Sequence, residues 1–228
     1  MGAPSATKLS ASQLSLAQTE IRKYDLLLEK PYLNLFQFLA LNPEFRVNLR
    51  GKNPATFGSP AYIEKTAQMF ALGRIITPPI NSGKSTDTLL GILFQQMNQC
   101  SEEEAQEAIK MHGDFMVLEN KVGKILEHYL ATKLEPLGWI WCSGDYVEKI
   151  DFVKAGPSNF SVLQVKNKDV TENSSSSKGR GDVPKWARLK GKKAVPDWDN
   201  FPDEKAKALI SEKDFLKHGI SIGKSWIQ

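Results

Sequence analysis

The chain has 228 residues, of which 41% are apolar and 25% charged, with a net charge of +4. This balance is ordinary for a soluble globular protein of one large domain, or of a core with a helical addition. No apolar run reaches the ~18 residues of a membrane span, so no membrane partner is expected.

The N-terminus, MGAPSATKLSASQ, lacks the apolar stretch of a secretory signal. Ala6 stands where an acylation signal beginning Met-Gly needs Ser or Thr. The start reads as small, polar and without structure of its own. The only cysteines, Cys100 and Cys142, have no metal-ligand spacing and fit a reducing cytoplasm.

Leu14 to Leu28 carries apolar residues at helical spacing, and Pro31 is expected to stop that helix. Ser59-Pro60 supplies an N-cap followed by proline in the first helical position, opening a helix toward Gly73. Residues 81–86, NSGKST, invite a nucleotide-binding reading. A phosphate loop needs glycine five positions before its Gly-Lys pair, and Pro78 is there, followed by Pro79. Proline removes the N–H donor that the cradle needs. No nucleotide cofactor is expected, and Thr86 to Asn98 reads as a helix.

Ser101 and Glu104 form a capping-box pattern before AQEAIKMHG. The most regular helix runs from Asp114 to Leu134, with Val122, Ile125, Leu126, Tyr129, Leu130 and Leu134 on one stripe. Beyond EPLGW the period changes. WIWC, YVEKIDFV and FSVLQVKN are short apolar or alternating runs separated by turn residues, and they read as strands. Asp203 to Lys217 returns to helix, with Gly219 after its end. The layout is a helical N-terminal region over 1–113 and an α/β region over 114–228.

Charge is unevenly spread. From Lys166 to Lys193 there are nine Lys or Arg and three acids, Asp169, Glu172 and Asp182. Such clustering suits a phosphate backbone, and a solvated lysine-rich loop would look the same.

A polar group sits where the strands end. Asp151 lies near the end of YVEKIDF, Gln164 follows thirteen residues later, and Lys166 two beyond that. AGPSN between them has the length of a hairpin turn. Residues two apart on a strand share a face, so Gln164 and Lys166 point the same way, and Asp151 can meet them across a hairpin ladder. A carboxylate, an amide oxygen and an ammonium in one cluster suit phosphodiester hydrolysis. Mg2+ takes carboxylate, carbonyl, water and phosphate oxygens; Asp151, Gln164 and the Val165 carbonyl can supply three. Lys166 can orient the attacking water and offset developing charge. Two glutamates of the regular helix are candidates for a further ligand: Glu119 on the apolar stripe and Glu127 at its edge. Either could instead be an ordinary dipole-favoured or solvent-facing acid.

A Glu-bearing helix, a Gly-Trp turn, a strand ending in Asp and a strand ending in Gln-Val-Lys follow in that order. The arrangement resembles the PD-(D/E)xK nuclease superfamily over residues 114–182. LENKVGKILEHYL, IDFV and QVKNKDVTENSSSS look most like type II restriction endonucleases of the SinI type. Two positions depart from the superfamily pattern. Ile150 precedes Asp151 where proline is common, and Gln164 stands where an acid is usual. The resemblance implies an α/β fold, a mixed β-sheet nuclease core flanked by helices. It also implies Mg2+ dependence, cuts in both strands of double-stranded DNA that leave 5′-phosphates at a short pseudo-palindrome such as GGWCC, action as a homodimer, and a bacterial cytoplasmic setting.

The basic loop then gains a role in recognition. Arg can pair bidentately with guanine and Asn with adenine. The candidates for DNA contact are Lys168, Asn173, Arg180, Lys185 and Arg188, with Ser174 to Ser177 as phosphate donors or as a flexible linker. Trp186 can pack on DNA or in the core. Two rival readings are a structure-specific repair or junction nuclease of the same superfamily, and a DNA-binding protein whose site has decayed at Gln164.

Overall fold

A computed structural model describes residues 6–49, 54–79, 88–156, 159–169 and 183–227. Its centre is a five-stranded mixed sheet in the order β1-β2-β3-β4-β5. The strands are β1 (Trp139–Trp141), β2 (Phe152–Ala155), β3 (Phe160–Lys168), β4 (Lys185–Lys190) and β5 (Val195–Pro196). The pairs β1–β2, β2–β3 and β4–β5 are antiparallel, and β3–β4 is parallel.

Both faces of the sheet are covered, which is why its strands read as nearly continuous apolar runs. On one face Ile140, Cys142 and Val153 pack with Ile21 of α1 (Ala11–Arg22), Leu35 and Leu39 of α2 (Glu29–Leu41), and Ile63 and Phe70 of α3 (Pro60–Leu72). On the other, Trp139, Trp141, Phe152, Leu163 and Trp186 pack with Leu126, Tyr129 and Leu130 of α5 (Glu102–Leu134). Phe215 of α7 (Glu212–Ser225) and Phe201 join that second core. Strand alternation sends Ile140 one way and its neighbours Trp139 and Trp141 the other. The α/β fold is the one expected.

Several elements differ from the sequence reading. Pro31 does not stop a helix; it lies in the first turn of α2, where its missing N–H has no intrahelical partner to lose. The run from Leu14 to Leu28 is α1 followed by a separate 3-10 turn at Leu26–Leu28. α4 spans Thr88–Asn98, and the stretch 81–86 lies outside the described residues. The capping box at Ser101 opens α5, a single helix of 33 residues that runs through Gly113 without a break. The 113/114 boundary therefore falls inside a helix.

At the other end of α5 a 3-10 turn closes on Gly138 at φ 88, a left-handed conformation that favours glycine and turns the chain into β1. YVEKIDFV is not one strand: Lys149 at φ 71 breaks it, and β2 begins only at Phe152. β4 was not anticipated, although it runs parallel to β3 inside the sheet. The C-terminal helix divides into α6 (Glu204–Lys207) and α7, because Ser211 caps a new start. Gly219 lies inside α7 and not after its end.

Candidate active site

Asp151 is the residue just before β2, and neighbours on both sides fix its backbone. Its carbonyl accepts the Cys142 N–H at 2.8 Å, and its N–H donates to the Leu163 carbonyl at 2.9 Å. Phe152 pairs with Leu163, so one step earlier in this antiparallel ladder Asp151 stands across from Gln164. The Asp151 Oδ2 accepts the backbone N–H of Val165 at 2.6 Å. A strand residue's N–H and C=O point to the same edge, so the Val165 carbonyl also lies toward this end of β2. Gln164 and Lys166 share a face of β3 by alternation.

Gln164 is 5% exposed, and its side-chain Oε1 is buried with no hydrogen-bond partner among the described residues. A buried acceptor left in this way is costly unless a donor or a cation reaches it. Lys166 is half-buried next along the same face.

The regular helix contributes one glutamate to this end of the sheet. Glu127 of α5 accepts from the Trp141 indole Nε1 at 2.9 Å and from the Lys124 Nζ at 3.1 Å. Its charge acts on Asp151. Burial, and after it the Glu127 carboxylate, push the Asp151 pKa up to about 7; the Val165 N–H, Lys166 and Lys124 pull it back. Two acids held together in this way favour a cation between them or a shared proton.

Glu119 is placed elsewhere. It lies eight residues, roughly 12 Å along the helix axis, from Glu127, and it pairs with Lys168 at 2.6 Å where both side chains are about half exposed. Lys168 is therefore at the rim, held by an acid. Lys185 is exposed and stands in register with Gln164 on the neighbouring strand. Arg188 is not at the surface. It is 7% exposed, with Nε donating to Asn167 Oδ1 at 2.9 Å, Nη1 to Glu212 Oε1 at 2.6 Å, and its guanidinium 4.7 Å from the Phe215 ring centroid. As placed, it ties β4 to β3 and α7, and none of those contacts leaves a donor fork free for a base. Trp186 is in the core, its Nε1 donating to the Asp197 carbonyl at 3.0 Å. Asn173, Ser174 to Ser177 and Arg180 lie outside the described residues.

Lys124 and Trp141 belong to this environment and were not singled out from the sequence. Lys124 stands three residues before Glu127, the spacing of a helical ion pair. Trp141 lies on an apolar strand, where a buried indole N–H needs an acceptor. Those were the available signals.

The donor set bears on whether a cation fits here. Among the described residues no three or more His, Cys, Asp and Glu are grouped to hold a metal. The groups present are two carboxylates, Asp151 and Glu127, an orphaned amide oxygen on Gln164 and the Val165 carbonyl. These are hard oxygen donors, suited to Mg2+, which keeps several waters and takes further oxygens from a phosphate. They fit such an ion and do not fit a thiophilic one.

The SinI restriction endonuclease family model matches residues 15–220. The type II restriction enzyme SinI of Salmonella infantis is 38% identical over 193 residues, which cover 82% of this chain and 84% of that enzyme. The type II restriction enzyme Eco47I of Escherichia coli is 38% identical over 186 residues, covering 79% of this chain and 81% of its own length. The chain belongs to the SinI restriction endonuclease family.

Proposed function

We propose that this member of the family is a type II site-specific deoxyribonuclease that uses Mg2+ to cut both strands of a short pseudo-palindromic site, GGWCC, leaving 5′-phosphates. The observation that carries the reading is Asp151 itself, bound by the Val165 N–H, across the ladder from Gln164, and within electrostatic reach of Lys166 and Glu127. Asp151, Gln164 and the Val165 carbonyl would hold the ion, with Glu127 completing its surroundings. Glu119, tied to Lys168, is the weaker candidate. Bound there, Mg2+ would supply positive charge at the scissile phosphate and lower the pKa of the attacking water.

The chain's own groups do the rest. The Lys166 Nζ donates hydrogen bonds to the attacking water and to a phosphate oxygen, stabilising charge that grows in the transition state. The Val165 N–H fixes one oxygen of Asp151 and leaves the other to the ion. Lys124 and Trp141 orient Glu127. Lys185, Lys168 and residues of the basic loop, including Asn173, Ser174 and Arg180, contact DNA; phosphate contacts set the register and base contacts the sequence. Arg188 supports that surface from within. A palindromic site calls for a two-fold protein, hence a homodimer in the bacterial cytoplasm.

Digestion of phage DNA with Mg2+, followed by end mapping, tests the reading. Discrete fragments with 5′-phosphates ending within GGWCC are expected. Nicking that follows DNA structure would favour a repair or junction nuclease, and a gel shift without cutting would favour a decayed binding protein.

A further inference from the structure

Two helices carry apolar side chains that nothing in the described chain covers. α4 lies against α5, contains no charged residue, and buries none of its eleven residues. α5 buries Ala105 and then nothing until Ile125. Between them Ile92, Leu93 and Met97 of α4, and Met111, Phe115 and Met116 of α5, are each 44% to 83% exposed. A monomer rarely leaves so much apolar surface on two packed helices to water, and Phe115 and Met116 border an open cavity beside Asn167 and Leu189.

We propose that this α4–α5 arm is the surface through which two copies of the chain pair. The occupant follows from charge and area. DNA does not suit the arm: α4 has no cation, and the first part of α5 carries Glu102, Glu103, Glu104 and Glu107 against the single Lys110. A two-fold interface sets each residue near the axis against its own copy, so a charged axis repels itself and an uncharged helix does not. The six side chains named present on the order of 600 Å2 of apolar surface. Specific interfaces bury about 800 Å2 per partner, a little over half of it apolar. The arm is therefore large enough for a stable dimer.

The arm is also coupled to the site. Phe115 and Glu127 are on the same unbroken helix, roughly 18 Å apart along its axis, so pairing through the arm fixes one site relative to the other. The inference rests on the nuclease reading only for that use of pairing, two sites acting on two strands.

The test is sedimentation of the full chain without DNA or metal, so that a failed digest and a failed dimer are separate results. Wild type should sediment at twice the chain mass, and its Tm should rise with concentration. Leu93→Asp and Phe115→Asp replace exposed residues, and each should weaken the dimer about 100-fold or more, because a two-fold interface meets every substitution twice. Leu216→Asp, at an equally exposed apolar position on α7, should leave pairing unchanged. Hydrogen exchange on the wild type, needing no variant, should show protection that grows with concentration over residues 88–119. A monomeric wild type, arm variants that pair as tightly as wild type, or protection that grows elsewhere would overturn the proposal.

Discussion

Asp151 and Val165, fourteen residues apart and on either side of a hairpin, are joined by a 2.6 Å hydrogen bond from the Val165 N–H to the Asp151 carboxylate. This bond uses a β3 backbone donor just beyond the first paired residues of the ladder, Phe152 and Leu163, before β2 begins. It fixes the acid against the strand that carries Gln164 and Lys166. The site is thus built into the start of one strand and the middle of the next, and its variants should disturb chemistry far more than fold.

Asp151→Asn should abolish cleavage and yet stabilise the metal-free protein. The wild-type pKa is raised to about 7, above its ordinary value of 3.8, by burial and by Glu127. A folded pKa above the unfolded one means stability that is fully present below pH 3.8 and lost as pH rises through about 7. The variant cannot titrate, while its amide oxygen can still accept the Val165 N–H. Its Tm advantage over wild type should be small near pH 4, already evident at pH 5.5 and largest at pH 8, as measured by thermal melts in EDTA. An advantage that does not grow with pH would remove the charge argument.

Gln164→Glu should tighten Mg2+ binding and lower the metal-free Tm. A carboxylate is a better ligand for a hard cation than an amide oxygen. Without the ion it adds a second negative charge across the ladder from Asp151 in a buried place. Paired melts with and without Mg2+ should therefore separate more widely for the variant than for wild type. An unchanged Mg2+ dependence with a lower Tm would leave Gln164 a packing residue.

Arg188→Ala and Lys185→Ala should fail in opposite ways. Removing Arg188 takes the cation from Glu212, which is 30% exposed and keeps the Trp198 indole N–H, and should cost about 1–3 kcal/mol of stability. Removing the exposed Lys185 should leave the melt unchanged, weaken all DNA sequences equally, and lower the salt slope of binding by about one. Chemical denaturation and salt titrations distinguish the two. A sequence-dependent loss for Lys185→Ala would make it a base contact.

Arg180→Ala should damage discrimination more than overall affinity. Arg180 sits between Gly179 and Gly181, which permit close approach of the backbone to DNA. A bidentate pair with guanine is worth about 1–3 kcal/mol of discrimination. Binding to cognate and single-substituted duplexes in Ca2+ measures it, and a uniform loss would make Arg180 a phosphate contact.

Alternation alone placed Gln164 and Lys166 on one face and Asp151 opposite, because a strand's period leaves no other choice once the hairpin is recognised. The helix stripe from Val122 to Leu134 was equally legible. Choosing between Glu119 and Glu127 was not, since that depends on Trp141 reaching Glu127 from another element. Pro31 misled because proline stops a helix in its interior and is tolerated in its first turn. Arg188 read as a DNA contact because it lies in a basic run; its partner Glu212 is 24 residues away and invisible to local pattern. β4 was missed for a related reason, as a parallel partner is specified by distant pairing and not by a turn.

The strand-end site is the central claim, and Lys166→Ala tests it most directly. Single-turnover cleavage by the purified variant should fall about 100- to 1,000-fold or more, through loss of a group that acts in the transition state. Its binding to cognate DNA in Ca2+ and its Tm should remain near wild type. Cleavage at a near wild-type rate by a folded Lys166→Ala protein would contradict the account.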